Sequence, residues 1–126
     1  GWFYANTYIE LPPGKWMVFG TYLLNGALAG DASVFIRTTF SDSNTGSGNC
    51  SPNVVSGCLI SGVLSGPAPF GLANGQTIIN NNTGATKIYY MWANMAKYGT
   101  TPTTFNINAI GSNFWSENQL TAIPMN

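Results

Sequence analysis

Lys15-Trp16-Met17-Val18-Phe19-Gly20-Thr21-Tyr22-Leu23-Leu24 is the stretch on which the reading of this chain turns. It follows Pro12-Pro13-Gly14, where proline fixes φ and glycine accepts positive φ, so the chain reverses there. Successive side chains of a strand point to opposite faces. Trp16, Val18, Gly20, Tyr22 and Leu24 therefore share one face, and Met17, Phe19, Thr21 and Leu23 the other. Both sets are largely apolar, so both faces need cover. One face is expected to meet a partner sheet and the other a neighbouring subunit. Asn25-Gly26 is a tight-turn signal that predicts the end of the strand.

Outward from this stretch, helical periodicity is nearly absent and turn signals recur about every ten residues, the pattern of an all-β chain. Tyr8 to Leu11 ends a first strand. Ser33 to Phe40 follows, with Val34, Ile36, Thr38 and Phe40 opposite Phe35, Arg37 and Thr39. Ser41 to Pro52 is a polar loop of Gly, Ser and Asn. Val54 to Leu64 reads as a strand interrupted at Gly57 and Gly62, which mark bulges or the close approach of another backbone. Gly66-Pro67-Ala68-Pro69 is a break. Gln76 to Asn80 is a short strand, ended by Asn80-Asn81-Asn82-Thr83-Gly84. Thr86 to Met95 sets Ile88, Tyr90 and Trp92 against Tyr89, Met91 and Ala93, again apolar on both faces. Thr103 to Ile110 alternates Phe105, Ile107 and Ala109 with Asn106 and Asn108, and Gln119 to Met125 is the last strand. About eight strands in one domain over residues 1–126 suit an antiparallel jelly-roll sandwich.

Composition narrows the function. Of 126 residues 44% are hydrophobic, 13% aromatic and 6% charged, with four Lys+Arg, four Asp+Glu and no His. Lack of His removes Ser–His–Asp and Cys–His catalysis and most zinc sites. Zero net charge without a basic run argues against nucleic acid. No apolar stretch reaches the roughly 18–20 residues of a membrane helix, so no stable membrane insertion is expected. The carboxylates Glu10, Asp31, Asp42 and Glu117 show no local pair of the kind a glycoside hydrolase needs. No cofactor, metal or enzymatic activity is expected. A surface this poor in charge needs either uncharged polar cover or burial in an obligate oligomer, and the aromatic content favours the oligomer. Gly1-Trp2 opens the chain without an initiator Met, so a C-terminal fragment of a longer chain is expected.

Within this frame the candidate residues fall into three groups. Loop residues Ser43, Asn44, Asn49, Asn80, Asn81, Asn82 and Thr83 offer hydroxyls and amides to a receptor, since binding residues concentrate on loops. Arg37, Phe35, Tyr89 and Met91 are candidates for a subunit interface. Arg37 has two readings, an edge-strand cation that discourages stray pairing and a forked donor matched to a carboxylate of another chain. Cys50 and Cys58 either close a disulfide or stay as thiols in a reducing cytosol. Asn49-Cys50-Ser51 and Asn81-Asn82-Thr83 match the N-glycosylation pattern, read as chance matches in Asn-rich loops. Trp16 and Trp92 are read as core or interface first, while Trp2 and Trp115 stay open as sugar-stacking candidates.

The closing run from Ile110 to Asn126, with Phe114-Trp115-Ser116 and Leu120-Thr121-Ala122-Ile123, resembles the last strands of bacteriophage tail-fibre and tail-needle tips. Ile9-Glu10-Leu11-Pro12-Pro13-Gly14-Lys15-Trp16-Met17-Val18-Phe19-Gly20-Thr21 is similar to a strand pair near the start of trimeric jelly rolls of the tumour-necrosis-factor and complement type. Together these stretches touch roughly a quarter of the chain and bracket it. The resemblance implies a tumour-necrosis-factor-like homotrimeric knob at the tip of a virion tail. Such a knob would be assembled in the host cytoplasm and would contact a host cell-surface glycan or envelope component. The alternative is a bacterial carbohydrate-binding lectin or adhesin domain, and a third reading is a virion-associated glycan hydrolase.

Overall fold

The computed structural model describes residues 1–28, 30–67, 69–99, 107–109 and 116–125, with backbone alone at 107–109. Among them are nine strands: β1 (Phe3–Leu11), β2 (Gly14–Gly26), β3 (Ser33–Ser41), β4 (Val54–Ser56), β5 (Ile60–Ser65), β6 (Phe70–Asn81), β7 (Lys87–Tyr98), β8 (Ile107–Ala109) and β9 (Gln119–Met125). All pairings are antiparallel, and the described residues contain no helix. The chain is all-β, as its periodicity predicts. The strand expected over Thr103–Ile110 is seen only as β8, and its remainder lies outside the described residues, as does Trp115.

Pairing runs β1-β7-β3-β5-β6-β2-β8, with β4 on β6 and β9 on β2. One limb is β1-β7-β3-β5 and the other is β4-β6-β2-β9. From β1 to β7, each strand lies in the limb opposite to its predecessor. The limbs join where β5 meets β6, at Gly62↔Ala73 and Val63↔Leu72. A Cβ on Gly62 would collide with the Ala73 Cα and the Leu72 carbonyl, and one on Gly71 would stand 2.6 Å from the Val63 carbonyl. The joint therefore requires glycine on both strands, which is the close backbone approach expected at Gly62. Leu11, Tyr22, Leu24, Ile36, Leu64 and Tyr89 come from both limbs and pack into one cluster. A flat sheet could not bring them together, so the sheet curls as a half-barrel around its core.

The decisive strand keeps its expected faces. Val18, Tyr22 and Leu24 are buried in the core, Trp16 packs against it, and Tyr22 lies back over Gly20, where a Cβ would strike its ring. Three expectations need correction. The short strand expected at Gln76–Asn80 is the 12-residue β6, Phe70–Asn81, because its whole length pairs with β2. Asn25-Gly26 is not a turn, because β2 continues through it. The Pro69 carbonyl accepts from the Gly26 N–H at 3.0 Å and from the Asn25 amide at 3.2 Å, so lateral pairing outweighs the local turn preference. The single strand expected from Val54 to Leu64 is two, since the chain crosses between limbs at Gly57, whose φ of +67° is left-handed.

Candidate functional site

Crossing between limbs at every step gathers connections at the ends of the half-barrel. At one end the turn at 12–13, the loop 42–53 and the turn 82–86 meet, tied by two asparagines. Asn81 donates its amide hydrogens to the Leu11 carbonyl (2.9 Å) and the Ala85 carbonyl (2.8 Å), and its Oδ1 accepts from the Thr83 N–H (3.1 Å) and hydroxyl (2.6 Å). Asn53 is the second tie. Its Oδ1 accepts from Lys87 Nζ (2.8 Å) and the Tyr89 hydroxyl (2.9 Å), and its Nδ2 donates to Asn82 Oδ1 (3.4 Å). Its carbonyl accepts from the Asn80 N–H (2.8 Å).

Lys87 Nζ also reaches Asp42 Oδ1 at 2.9 Å. Burial alone would raise the Asp42 carboxyl, but hydrogen bonds from Ser51 and Lys87 and the Lys87 charge outweigh it, so its pKa lies below the usual value. Burial, and then the Asp42 charge, pushes the Tyr89 phenol up to about 12. The cluster therefore presents one carboxylate, one ammonium and one neutral phenol at neutral pH.

Residues 41–52 surround an open cavity of 330 Å³ whose lining includes Ser41, Asp42, Ser43, Thr45, Asn49 and Ser51. The loop lies over the outer face of β3 and β7, pinned at four points. Trp92 Nε1 donates to the Ser43 carbonyl (2.7 Å), and Gly48, at φ +66°, sits so close to the Trp92 ring that a Cβ would collide. The Ser51 N–H donates to the Phe40 carbonyl (2.8 Å). Cys50 and Cys58 are joined by a disulfide, Cα–Cα 6.3 Å, which ties the loop to the β4–β5 crossover. Asp42 is the cavity's sole carboxylate, and among the described residues no group of three or more His, Cys, Asp or Glu could hold a metal.

The two expected receptor loops are thus brought together, with differing fates for their residues. Asn44, Asn49, Asn82 and Thr83 are exposed and Ser43 is half-buried beside the cavity. Asn80 is half-buried within β6. Asn81 is a correction: at 1% exposure its polar atoms are all spent holding three segments together, and none faces a receptor. The interface expectation divides likewise. Tyr89 and Met91 are corrected to the chain's own core at 0% exposure, because the inward face of β7 is the odd-numbered one.

Phe35 stays outward, and registered pairing extends it into a row, Ala96–Phe35–Val63–Leu72–Leu23, across five strands. Phe35, Val63 and Leu72 are 37%, 50% and 50% exposed. Arg37, on the same face, holds its guanidinium 5.9 Å from the Phe35 ring centroid. A second outward row, Ile78–Met17–Ile123, crosses β6, β2 and β9.

Sequence reasoning missed Asn53, Lys87 and the outer aromatic corner of β1 and β7. Tyr4 and Tyr90 meet edge to face with centroids 5.7 Å apart, Tyr8 stands 6.3 Å from Tyr90, and Tyr4 stands 6.2 Å from Trp92. Burial and the neighbouring phenols of Tyr90 and Tyr8 raise the pKa of Tyr4. The signal available was the position of Lys87 just past the 82–86 turn and of Asp42 just past β3, two of so few charges. Compared with protein-family models, curated proteins and solved structures, the chain matches none.

Proposed function

We propose that the chain is the distal tip of a bacteriophage tail fibre or tail needle. In this reading it is a homotrimeric, non-enzymatic jelly roll of the tumour-necrosis-factor kind. It meets the host surface through the 42–53 and 82–86 connections. The observation that carries the reading is the five-strand row of Phe35, Val63, Leu72 and their paired neighbours. A chain with four Lys+Arg and four Asp+Glu cannot rely on charge to keep such a row apart from its copies, and obligate assemblies hide surfaces of this kind. In this reading Arg37, beside the row, meets a carboxylate of a neighbouring copy.

The alternation of strands between limbs supports the jelly roll, whose double Greek key sends successive strands to opposite layers. The uncharged loop end supports attachment to host glycan, since amides and hydroxyls match sugar hydroxyls. A virion part assembled in a reducing cytoplasm closes its Cys50–Cys58 bond after release.

Sedimentation velocity at micromolar concentration tests the assembly. A trimer is expected, with Val63→Asp and Leu72→Asp shifting it toward monomer. A monomeric wild type would overturn the reading and leave a monomeric carbohydrate-binding domain in its place. Attachment is tested by Asn82→Ala with Thr83→Ala in the intact particle, which should slow adsorption while leaving the trimer whole.

A further inference from the structure

The outer surface across β1, β7, β3, β5 and β6 has two unlike halves. The Phe35–Val63–Leu72 side is an aliphatic and aromatic row with Arg37 beside it. The β1–β7 side is a corner of tyrosines, each with an apolar ring and a polar tip. Tyr4 and Tyr90 stand at an interplanar angle of 79°, so one ring offers its face where the other offers its edge. Tyr8, 53% exposed, extends the corner toward solvent. Ring stacking of this kind also pins an edge strand, but that role does not require Tyr8 to stand half in water.

The corner is continuous with the loop cavity. Tyr90 is the register partner of Ser41, which lines the cavity, and Trp92 is the register partner of both Tyr4 and Thr39 beneath the loop. A ligand leaving the cavity over Ser41 therefore passes directly onto Tyr90, then Tyr4 or Tyr8. Such a ligand needs apolar faces to stack on rings and hydroxyls at its margins to meet phenols, serines and asparagines. A neutral sugar ring has both: axial C–H groups on its faces and hydroxyls around its edge. The one carboxylate of the cavity, Asp42, is already paired with Lys87, and the exposed Glu10, two residues from Tyr8 on the same face of β1, disfavours an anionic ligand.

We infer that Tyr4, Tyr8 and Tyr90 form a stacking subsite for neutral sugar rings, continuous with the loop cavity, so that the ligand is an oligosaccharide several rings long. This deepens the attachment reading and rests on it for the source of the glycan.

The test titrates the purified domain with neutral hexasaccharides of glucose, mannose and N-acetylglucosamine, and with a heparin hexasaccharide as the charged contrast. Binding is followed by the ring resonances of the tyrosines. At least one neutral hexasaccharide should shift Tyr8 and Tyr90, and heparin should not. Tyr8→Ala should weaken that binding by about tenfold, while Tyr8→Phe, which keeps the ring, should restore most of it. Tyr8 is exposed enough that its loss leaves the fold intact, which the unfolding midpoint verifies. Absence of binding by all three neutral sugars, preferential binding of heparin, or a Tyr8→Ala affinity equal to wild type would overturn the inference. Particles carrying Tyr8→Ala separate the two readings. If the variant domain loses sugar binding but particles adsorb normally, the subsite stands and the attachment reading falls. If sugar binding ignores Tyr8 while the Asn82 and Thr83 variant still slows adsorption, the subsite falls and attachment stands.

Discussion

Removing the Asn53 side chain should cost more stability than any other exposed-loop truncation. Its Oδ1 is shared by the Lys87 ammonium at 2.8 Å and the Tyr89 hydroxyl at 2.9 Å. Lys87 retains Asp42 after Asn53→Ala and is partly hydrated, so its lost bond contributes only about 1 kcal/mol. Tyr89 is fully buried, and its hydroxyl would be left without an acceptor at a cost of roughly 1–3 kcal/mol. Asn53→Ala should therefore destabilise by about 2–4 kcal/mol. Tyr89→Phe alone should cost about 1 kcal/mol, since Asn53 still serves Lys87. In the Asn53→Ala background, however, Tyr89→Phe removes an orphaned hydroxyl and should be neutral or stabilising. The double-mutant cycle then yields a coupling of about 1–4 kcal/mol. Urea unfolding followed by tryptophan fluorescence measures it, at one fixed protein concentration because dissociation and unfolding would be linked in the proposed trimer. A coupling indistinguishable from zero would refute the account of Asn53 as the tie between loop and core.

Three other outcomes are expected. Cys50→Ser with Cys58→Ser should lower stability by about 2–3 kcal/mol from restored chain entropy across a separation of eight residues, read from the urea midpoint. Gly62→Val should cost at least about 2 kcal/mol because the limbs cannot part at their joint, whereas Gly30→Ala, in open space, should stay within about 0.5 kcal/mol, both by thermal melting. Stability should be flat from neutral to mildly acidic pH. Asp42, held below its usual 3.8, supports the fold above that pH and loses the contribution as pH falls beneath it. At the alkaline end the sign reverses. Tyr22 and Tyr89, raised by burial from 10.0 to about 12, favour the fold fully below pH 10 and cease to as pH climbs from 10 to 12, which tyrosinate absorbance would follow.

What the sequence makes legible is whatever alternation encodes. The faces of β3 follow directly from the spacing of Val34, Ile36 and Phe40, because burying one face fixes register, whereas β2 offers two apolar sets, of which Val18, Tyr22 and Leu24 turn inward. For β7 the same reading names both apolar sets and cannot choose between them. Tyr89, Met91 and Ala93 turn inward only because β7 lies between β1 and β3, a pairing between distant parts of the chain. Asn25-Gly26 shows the limit of local signals, since a turn-former accepts a strand once a carbonyl as distant as Pro69 is available. The candidate loops were legible as polar segments, but Asn81 and Asn82 differ only in tertiary surroundings. One is locked between three segments and the other faces solvent.

The placement of the loop end also bears on how the proposed recognition and assembly would coexist in so small a chain. The loop 42–53 touches the body through Trp92, the Phe40 carbonyl, the Cys58 sulfur and the Asn53 contacts. None of these belongs to the Phe35–Val63–Leu72–Leu23 row. Substitutions at Asn44, Thr45 or Asn49 can therefore change the loop's polar surface and the ligand proposed for it without altering a buried side chain or the apolar row. The converse does not hold for Trp92. Its indole supports the loop at Ser43 and Gly48, and its outer edge meets Tyr4, so one residue couples cavity and aromatic corner. Replacing Trp92 by a smaller ring would loosen both at once, whereas replacing Tyr8 would touch the corner alone. This asymmetry follows from Trp92 facing outward on a strand whose other face is core, which leaves the loop, rather than the barrel, to cover it.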